Sequence, residues 1–108
     1  MSSELVISSQ LNWEPIVLDG KTIEGIYSKT LRYAQDKKRP IRLLLKIEAG
    51  ASYPAHNYPG GDELFVLEGE VNYGKYLLKK DDYLLVPPNP SLVVFSNIGC
   101  IMLFALAK

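Results

Sequence analysis

A chain of 108 residues, 47% of them hydrophobic, is long enough to fold as one domain and too apolar to stay disordered. Its twelve basic and twelve acidic residues cancel, so no excess of charge favours nucleic acid or an anionic membrane surface as a partner. The only cysteine, Cys100, excludes a disulfide within the chain. Because no signal-peptide pattern and no apolar run of membrane-spanning length is seen, we expect a cytoplasmic location.

Short runs rich in β-forming residues recur along the chain, and Gly, Pro, Asn and Asp interrupt them. Helical periodicity with caps at both ends is nearly absent. About eight short strands at this spacing predict an all-β sandwich or barrel. The predicted strands lie near 14–18, 23–33, 40–48, 62–68, 71–78, 82–86, 92–96 and 100–106.

Two of these runs indicate which faces are buried. The odd positions of 40–48 are apolar from 41 to 47, whereas Arg42, Lys46 and Glu48 fall on the other face, so one face is expected to meet the core. The run at 100–106 is apolar on both faces. This pattern predicts either a central strand or a strand that a partner subunit covers.

Turn signals separate several of the runs. The basic stretch DKKRP at 36–40 begins with Asp and ends with Pro, which predicts a solvated loop. The letters NYGK within 71–78 are a hairpin signal. Gly69 follows the run at 62–68, where it permits a bend or turn into the next strand.

The stretch PAHNYPGGDELFVLEGE at 54–70 holds the only histidine of the chain and two adjacent carboxylates. It resembles the first motif of the cupin family, G-(x5)-H-x-H-(x3 or x4)-E-(x6)-G, and is particularly similar to the cupins of ChrR-type proteins. The matching positions here are Gly50, His56, Tyr58, Asp62 and Gly69.

A second motif of the same family, G-D-(x4)-P-x-G-(x2)-H-(x3)-N, is matched in outline by DDYLLVPPNPSLVVFS at 81–96. Together the two motifs imply a cupin-type jelly-roll β-barrel, a double-stranded β-helix with a pocket at one mouth. The resemblance implies one cupin domain over 1–108, with the barrel at about 40–106 and N-terminal strands within 5–33.

The departures from the family pattern fall on the metal ligands, which in metal-binding cupins are three histidines and one carboxylate. The resemblance places His56 at the first histidine, Tyr58 at the second and Leu92 at the third. Spacing assigns the carboxylate to Asp62, whereas residue identity favours Glu63, and only one of two successive strand residues can face the pocket. Tight binding of Zn, Fe, Mn or Ni needs three or four ligands, so the site is expected to be degenerate.

Two readings of the ligand pocket stay open. His56 is either a pocket histidine hydrogen-bonded to Tyr58 or a carboxylate, or one ligand of a weakly held divalent transition metal, Zn, Ni, Fe or Mn, that water completes. Tyr53 and Tyr58 flank His56 and favour a flat or apolar small-molecule ligand. Leu92 makes the same pocket more apolar.

Three functions compete on this basis. The first is a non-enzymatic small-molecule binder or sensor, which Leu92 favours. The second is a metal-dependent dioxygenase or isomerase, as in many cupins, which the retained His56 and the Asp62–Glu63 pair favour. The third is a structural or partner-binding module. A homodimer is expected because the apolar runs at 5–7 and 100–106 would form an adhesive patch if exposed.

Changing Leu92 to His tests the alignment of the second motif. If Leu92 stands at the lost ligand position, this change adds an imidazole beside His56 and a carboxylate, and the affinity for Zn²⁺ or Ni²⁺ rises. Tyr58→His on top of it raises the affinity further. Isothermal titration with either metal measures both steps, and no gain in either variant would contradict the alignment.

Overall fold

The computed structural model describes residues 2–53, 62–87 and 93–106. Their regular structure is all β apart from one 3-10 turn at Ser8–Gln10, which confirms the predicted class. No helix in these ranges is long and apolar enough to cross a membrane. The strands are β1 (Glu14–Leu18), β2 (Lys21–Ala34), β3 (Arg39–Ile47), β4 (Ser52–Tyr53), β5 (Asp62–Tyr73), β6 (Tyr76–Lys79), β7 (Tyr83–Val86), β8 (Val94–Phe95) and β9 (Cys100–Leu106).

The strands form one antiparallel sheet that curls into a half-barrel, because β5 belongs to two walls. Residues 62–69 of β5 pair with β9 and β7, and β9 continues through β3 and β2 to β1, which makes the first wall. Residues 70–73 of β5 pair with β6 and β8, and β8 pairs with β4, which makes the second wall. One strand therefore joins the two walls around the core.

The crossing from wall to wall depends on Gly69. Its φ is +74°, and a Cβ atom there would lie 1.9 Å from the carbonyl oxygen of Gly99. The Ser96 hydroxyl donates to the carbonyl of Glu70 at 2.6 Å and accepts from the amide of Gly99 at 2.8 Å. Only glycine combines this φ with so close an approach of two backbones.

The core lies between the two walls and is built from alternate residues of each strand. On β5, Leu64 and Val66 are buried, and on β9 Met102 and Phe104 are buried. Such alternation is what an antiparallel sheet with one buried face requires. The remaining buried hydrophobic residues are Ile26, Leu45, Ile47, Val71, Tyr73, Leu78, Val86, Val94 and Cys100.

Several predicted boundaries are corrected. The strand predicted at 62–68 continues to Tyr73, because Gly69 bends it without ending it. The hairpin signal within 71–78 is confirmed: Gly74 and Lys75 form the turn between β5 and β6, so that run is two strand segments. The short β4 was not predicted.

The predicted N-terminal and basic segments also change. The first strand begins at Glu14, so residues 5–7 precede the strands that were expected within 5–33. The basic loop is shorter than 36–40, because Arg39 already belongs to β3. The doubly apolar run at 100–106 is β9, a central strand between β3 and β5, which is one of its two predicted placements.

Replacing Gly69 with Ala should lower the free energy of unfolding by more than about 3 kcal/mol, since the new methyl group meets a backbone carbonyl that cannot move aside. Gly20→Ala is the matched control, because Gly20 has a φ of +78° with no atom within 4 Å of a Cβ there. That change should cost only about 1 kcal/mol of backbone strain. Urea denaturation compares the two, and equal losses would contradict the role of the Gly99 contact.

Candidate functional site

The first residue of β5, Asp62, belongs to the interior face of the first wall. Its side chain is 3% exposed. Its neighbours across the sheet are Val86 on β7 and Leu106 on β9, both apolar. Of the two carboxylates that the sequence offers, Asp62 is thus the one on the core side, in agreement with the motif spacing.

The next residue, Glu63, is exposed on the outer face of the same wall. The Tyr83 hydroxyl donates a hydrogen bond to its Oε1 atom. This hydrogen bond, aided by burial and by the negative charge of Glu63, raises the pKa of Tyr83. The alternation of β5 therefore separates the paired carboxylates, one towards the core and one towards the surface.

Tyr53 stands in the second wall, at the end of the two-residue strand β4. It is half-buried and packs against the core. Burial raises its pKa, so the phenol stays neutral at physiological pH. Its strand partner is Val94, which also pairs with the buried Tyr73. The ring centroids of Tyr73 and Phe104 are 6.5 Å apart, so aromatic side chains link the two walls here.

Three predicted site residues, His56, Tyr58 and Leu92, lie outside the described residues. The nearest described residues are Tyr53 and Asp62 on either side of the first segment, and Pro87 and Val93 on either side of the second. The segment 54–61 connects Tyr53 to Asp62, and the segment 88–92 leads from β7 to β8. Strand pairing holds the ends of the two segments close together. Asp62, which follows the first segment, pairs with Val86, which precedes the second. Tyr53, which precedes the first segment, pairs with Val94, which follows the second.

Both motif segments therefore connect the same two places, one in each wall. This topology agrees with a site shared by the two motifs. The donor set is small, since the whole sequence has a single histidine. Among the described residues, no three His, Cys, Asp or Glu side chains are grouped where they could hold a metal ion.

An open cleft of about 540 Å³ lies at the opposite end of the first-wall part of β5 from Asp62. Gly69, Gly99 and Cys100 are among its lining residues, together with charged side chains such as Glu68. Seven residues of strand separate Asp62 from Gly69, which is roughly 23 Å. This cleft is therefore distinct from the region that the motifs predict.

Cys100 is buried on the inner face of β9, where it pairs with Gly69 on β5 and Ile47 on β3. Burial raises the pKa of its thiol from 9.0 to about 12. A nucleophilic cysteine needs the opposite shift, which a nearby positive charge or a helix N-terminus supplies. Cys100 is accordingly a core residue and not a catalytic nucleophile.

Comparison with known proteins gives a family and a fold. The family model described as ChrR Cupin-like domain matches residues 1–108. No curated protein matches the sequence. An RmlC-like cupin protein from Ralstonia eutropha is similar over 100% of this chain and 70% of its own, with 14% identity and a TM-score of 0.81.

Two further solved structures carry enzyme names. An acetylacetone dioxygenase from Acinetobacter johnsonii is similar over 98% of this chain and 74% of its own, with 17% identity and a TM-score of 0.81. The polyketide cyclase RemF from Streptomyces resistomycificus is similar over 99% and 81%, with 13% identity and a TM-score of 0.78. At these identities the similarity establishes the fold alone, and it confirms the predicted cupin-type barrel.

The burial of Cys100 predicts slow alkylation of the folded protein by iodoacetamide. Since the pKa rises from 9.0 to about 12, the thiolate fraction falls ~1000-fold at about pH 8. Mass spectrometry of the adduct over time measures the rate. The same protein in guanidinium chloride is the control and should react as an ordinary thiol. Equally fast reaction in the folded state would contradict the assignment.

Proposed function

Because this chain belongs to the ChrR cupin-like domain family, we propose that it is a small-molecule-binding cupin that does not depend on a tightly held metal. Its ligand has an apolar or aromatic body and an amine or hydroxyl group that donates to Asp62. The observation that carries the proposal is the burial of Asp62, the first residue of β5, on the core side of the first wall.

The carboxylate of Asp62 would fix the orientation of the ligand. An ionised carboxylate only accepts hydrogen bonds, so it selects for N–H or O–H groups over other carboxylates. Its strand partners, Val86 and Leu106, are apolar, and a hydrogen bond in apolar surroundings is stronger than one in water. A charge-assisted hydrogen bond of this kind contributes about 1.5–3 kcal/mol.

Apolar and aromatic surface would supply the remaining affinity. Tyr53 in the second wall is half-buried and packs against the core cluster, whose buried members include Tyr73 and Phe104. Ligand pockets are mostly of this type, with hydrophobic and aromatic walls and few polar groups. Leu92, at the position of a lost histidine in the motif, fits the same chemistry and leads us to place it in the pocket with His56 and Tyr58.

The residues of the chain do not fit the metal centre that the family implies. Such a centre uses three imidazoles and a carboxylate, and this sequence supplies one imidazole, His56. Tyr58 would have to lose its proton to replace the second imidazole, although the reference pKa of tyrosine is about 10. Leu92 offers no donor atom. These donors support at most weak binding of a divalent metal.

A thermal-shift screen with matched small molecules tests the proposal. Aromatic amines and phenols should raise the melting temperature, whereas aromatic acids of the same size should not. Asp62→Asn should weaken the best amine by about 10- to 100-fold, as expected for the loss of one charge-assisted hydrogen bond. Glu63→Gln is the matched control, because Glu63 faces the outside and should leave the affinity unchanged.

Elemental analysis of the same protein, purified without chelators, completes the test. A transition metal at one equivalent would contradict the proposal and favour the dioxygenase or isomerase alternative. If Asp62→Asn and Glu63→Gln lose affinity equally, the ligand does not bind at the carboxylate of Asp62. If the amines bind neither the unaltered chain nor either variant, the result favours a structural or partner-binding role.

A further inference from the structure

One guanidinium nitrogen of Arg39, the first residue of β3, is buried. The residue as a whole is partly exposed, but its Nη2 atom is not. Within the part of the chain that the structure describes, no group accepts a hydrogen bond from this atom. A guanidinium stays charged and can only donate, so its burial without an acceptor costs free energy. An acceptor from outside the chain would remove that cost.

Arg39 stands at the same end of the first wall as Asp62. On β9, Leu106 pairs with Asp62 on one side, and Ala105 pairs with Arg42 on the other. From Arg42, β3 extends further in the same direction to begin at Arg39. With about 3.3 Å per residue and about 4.8 Å per strand, the Cα atoms of Asp62 and Arg39 are about 12 Å apart. A small aromatic molecule with a polar group at each end is the right size to bridge the two side chains.

The burial of Nη2 directs the end of the Arg39 side chain to the inner side of the sheet. The register of β3 against β2 shifts between Arg42 and Pro40, so strand alternation alone does not assign Arg39 to a face. On the outer side, Arg42 and its strand partner Arg32 are both exposed, which shows that this surface is solvated. The buried nitrogen therefore belongs to the inner side, where the ligand pocket is proposed.

The turn before β3 makes this end of the sheet electropositive. Lys37 and Lys38 directly precede Arg39 and are exposed, and Asp36 offsets only one of the three positive charges. Exposed lysines raise the local concentration of anions and speed their approach, whereas a guanidinium can hold an anion in a fixed geometry. The basic stretch at 36–40 thus combines a solvated pair of lysines with one partly buried arginine.

We propose that Arg39 binds a carboxylate of the ligand, at the opposite end from the group that donates to Asp62. This inference rests on the proposed function and names its ligand class, an aromatic hydroxy acid or amino acid. The planar guanidinium matches the two oxygens of a carboxylate, and charge-assisted hydrogen bonds of this kind are roughly twice as strong as neutral ones.

The two anchors select ligands that carry both groups. Asp62 accepts and Arg39 donates, so the ligand must present a donor at one end and an acceptor at the other. A simple aromatic acid brings no donor to Asp62 and is repelled by its charge. A simple phenol or amine binds Asp62 but offers nothing to Nη2 of Arg39.

Two probes of the same shape test the role of Arg39 by isothermal titration. The first is para-hydroxyphenylacetate, and the second is its neutral amide, para-hydroxyphenylacetamide. The unaltered chain should bind the acid about tenfold more tightly than the amide, as one charge-assisted hydrogen bond implies. Arg39→Gln should remove this preference by weakening the acid and leaving the amide unchanged. Asp62→Asn should weaken both probes, because both keep the hydroxyl group.

Two controls separate binding from structure and from general charge. Arg42→Gln removes a positive charge from the exposed outer side of the same strand and should leave both affinities unchanged. The free Arg39→Gln variant should melt no lower than the unaltered chain, because it loses no hydrogen bond from Nη2. Groups kept for binding commonly contribute nothing to stability, or reduce it.

The outcomes distinguish this inference from the proposed function. If the preference for the acid survives Arg39→Gln while Asp62→Asn still weakens both probes, the inference fails and the proposed function stands. If neither probe binds the unaltered chain, both fail. An equal loss of preference in Arg42→Gln would overturn the inference in favour of a general charge effect. A clear fall in the melting temperature of free Arg39→Gln would overturn it in favour of a structural role.

Discussion

The structure depends on the close approach of two backbones where β5 crosses from one wall to the other. Gly69 and Gly99 meet there without side chains, and the Ser96 hydroxyl connects the strand after the bend to the turn before β9. The first half of β5 can then lie beside β9 while the second half lies beside β8. Without that crossing the two walls would share no strand, and the core would lose its enclosure.

The same strand, β5, also separates the two adjacent carboxylates of the first motif. Because successive residues of β5 face opposite sides, Asp62 is directed to the core and Glu63 to the surface, although they are adjacent in sequence. The proposed ligand contact at Asp62 and the surface carboxylate of Glu63 therefore lie on different faces of one strand. Changes at one face can be made without altering the groups on the other.

Much of this fold follows from the sequence, since turn residues and β-rich runs place most strands within a few residues. One backbone feature of the second motif is kept although the residue differs. Asp81 stands where the motif has its first glycine, and it adopts a φ of +73°, a value that favours glycine. The continuation of β5 past Gly69 was not predicted, because a glycine with positive φ either ends a strand or bends it. Strand β4 has only two residues, which are too few to show the alternation that predicts a strand.

The candidate site was predictable only in part. Motif spacing assigned the pocket carboxylate to Asp62, whereas residue identity favoured Glu63. The structure decides between them, because the register of β5 directs Asp62 to the core and Glu63 to the surface. The order of the strands in the first wall was hidden for another reason. Strands β3 and β5 are both neighbours of β9, and no short window of the sequence contains all three strands.

The central position of β9 has a consequence for how the chain acquires this structure. During synthesis, β3 and β5 leave the ribosome before β9, so each then exposes an unpaired edge and an apolar face to the cell. Contacts between segments so distant in sequence form slowly, and open strand edges invite pairing with other chains. Aggregation during expression should therefore be sensitive to changes in β9 that slow or weaken its insertion between β3 and β5.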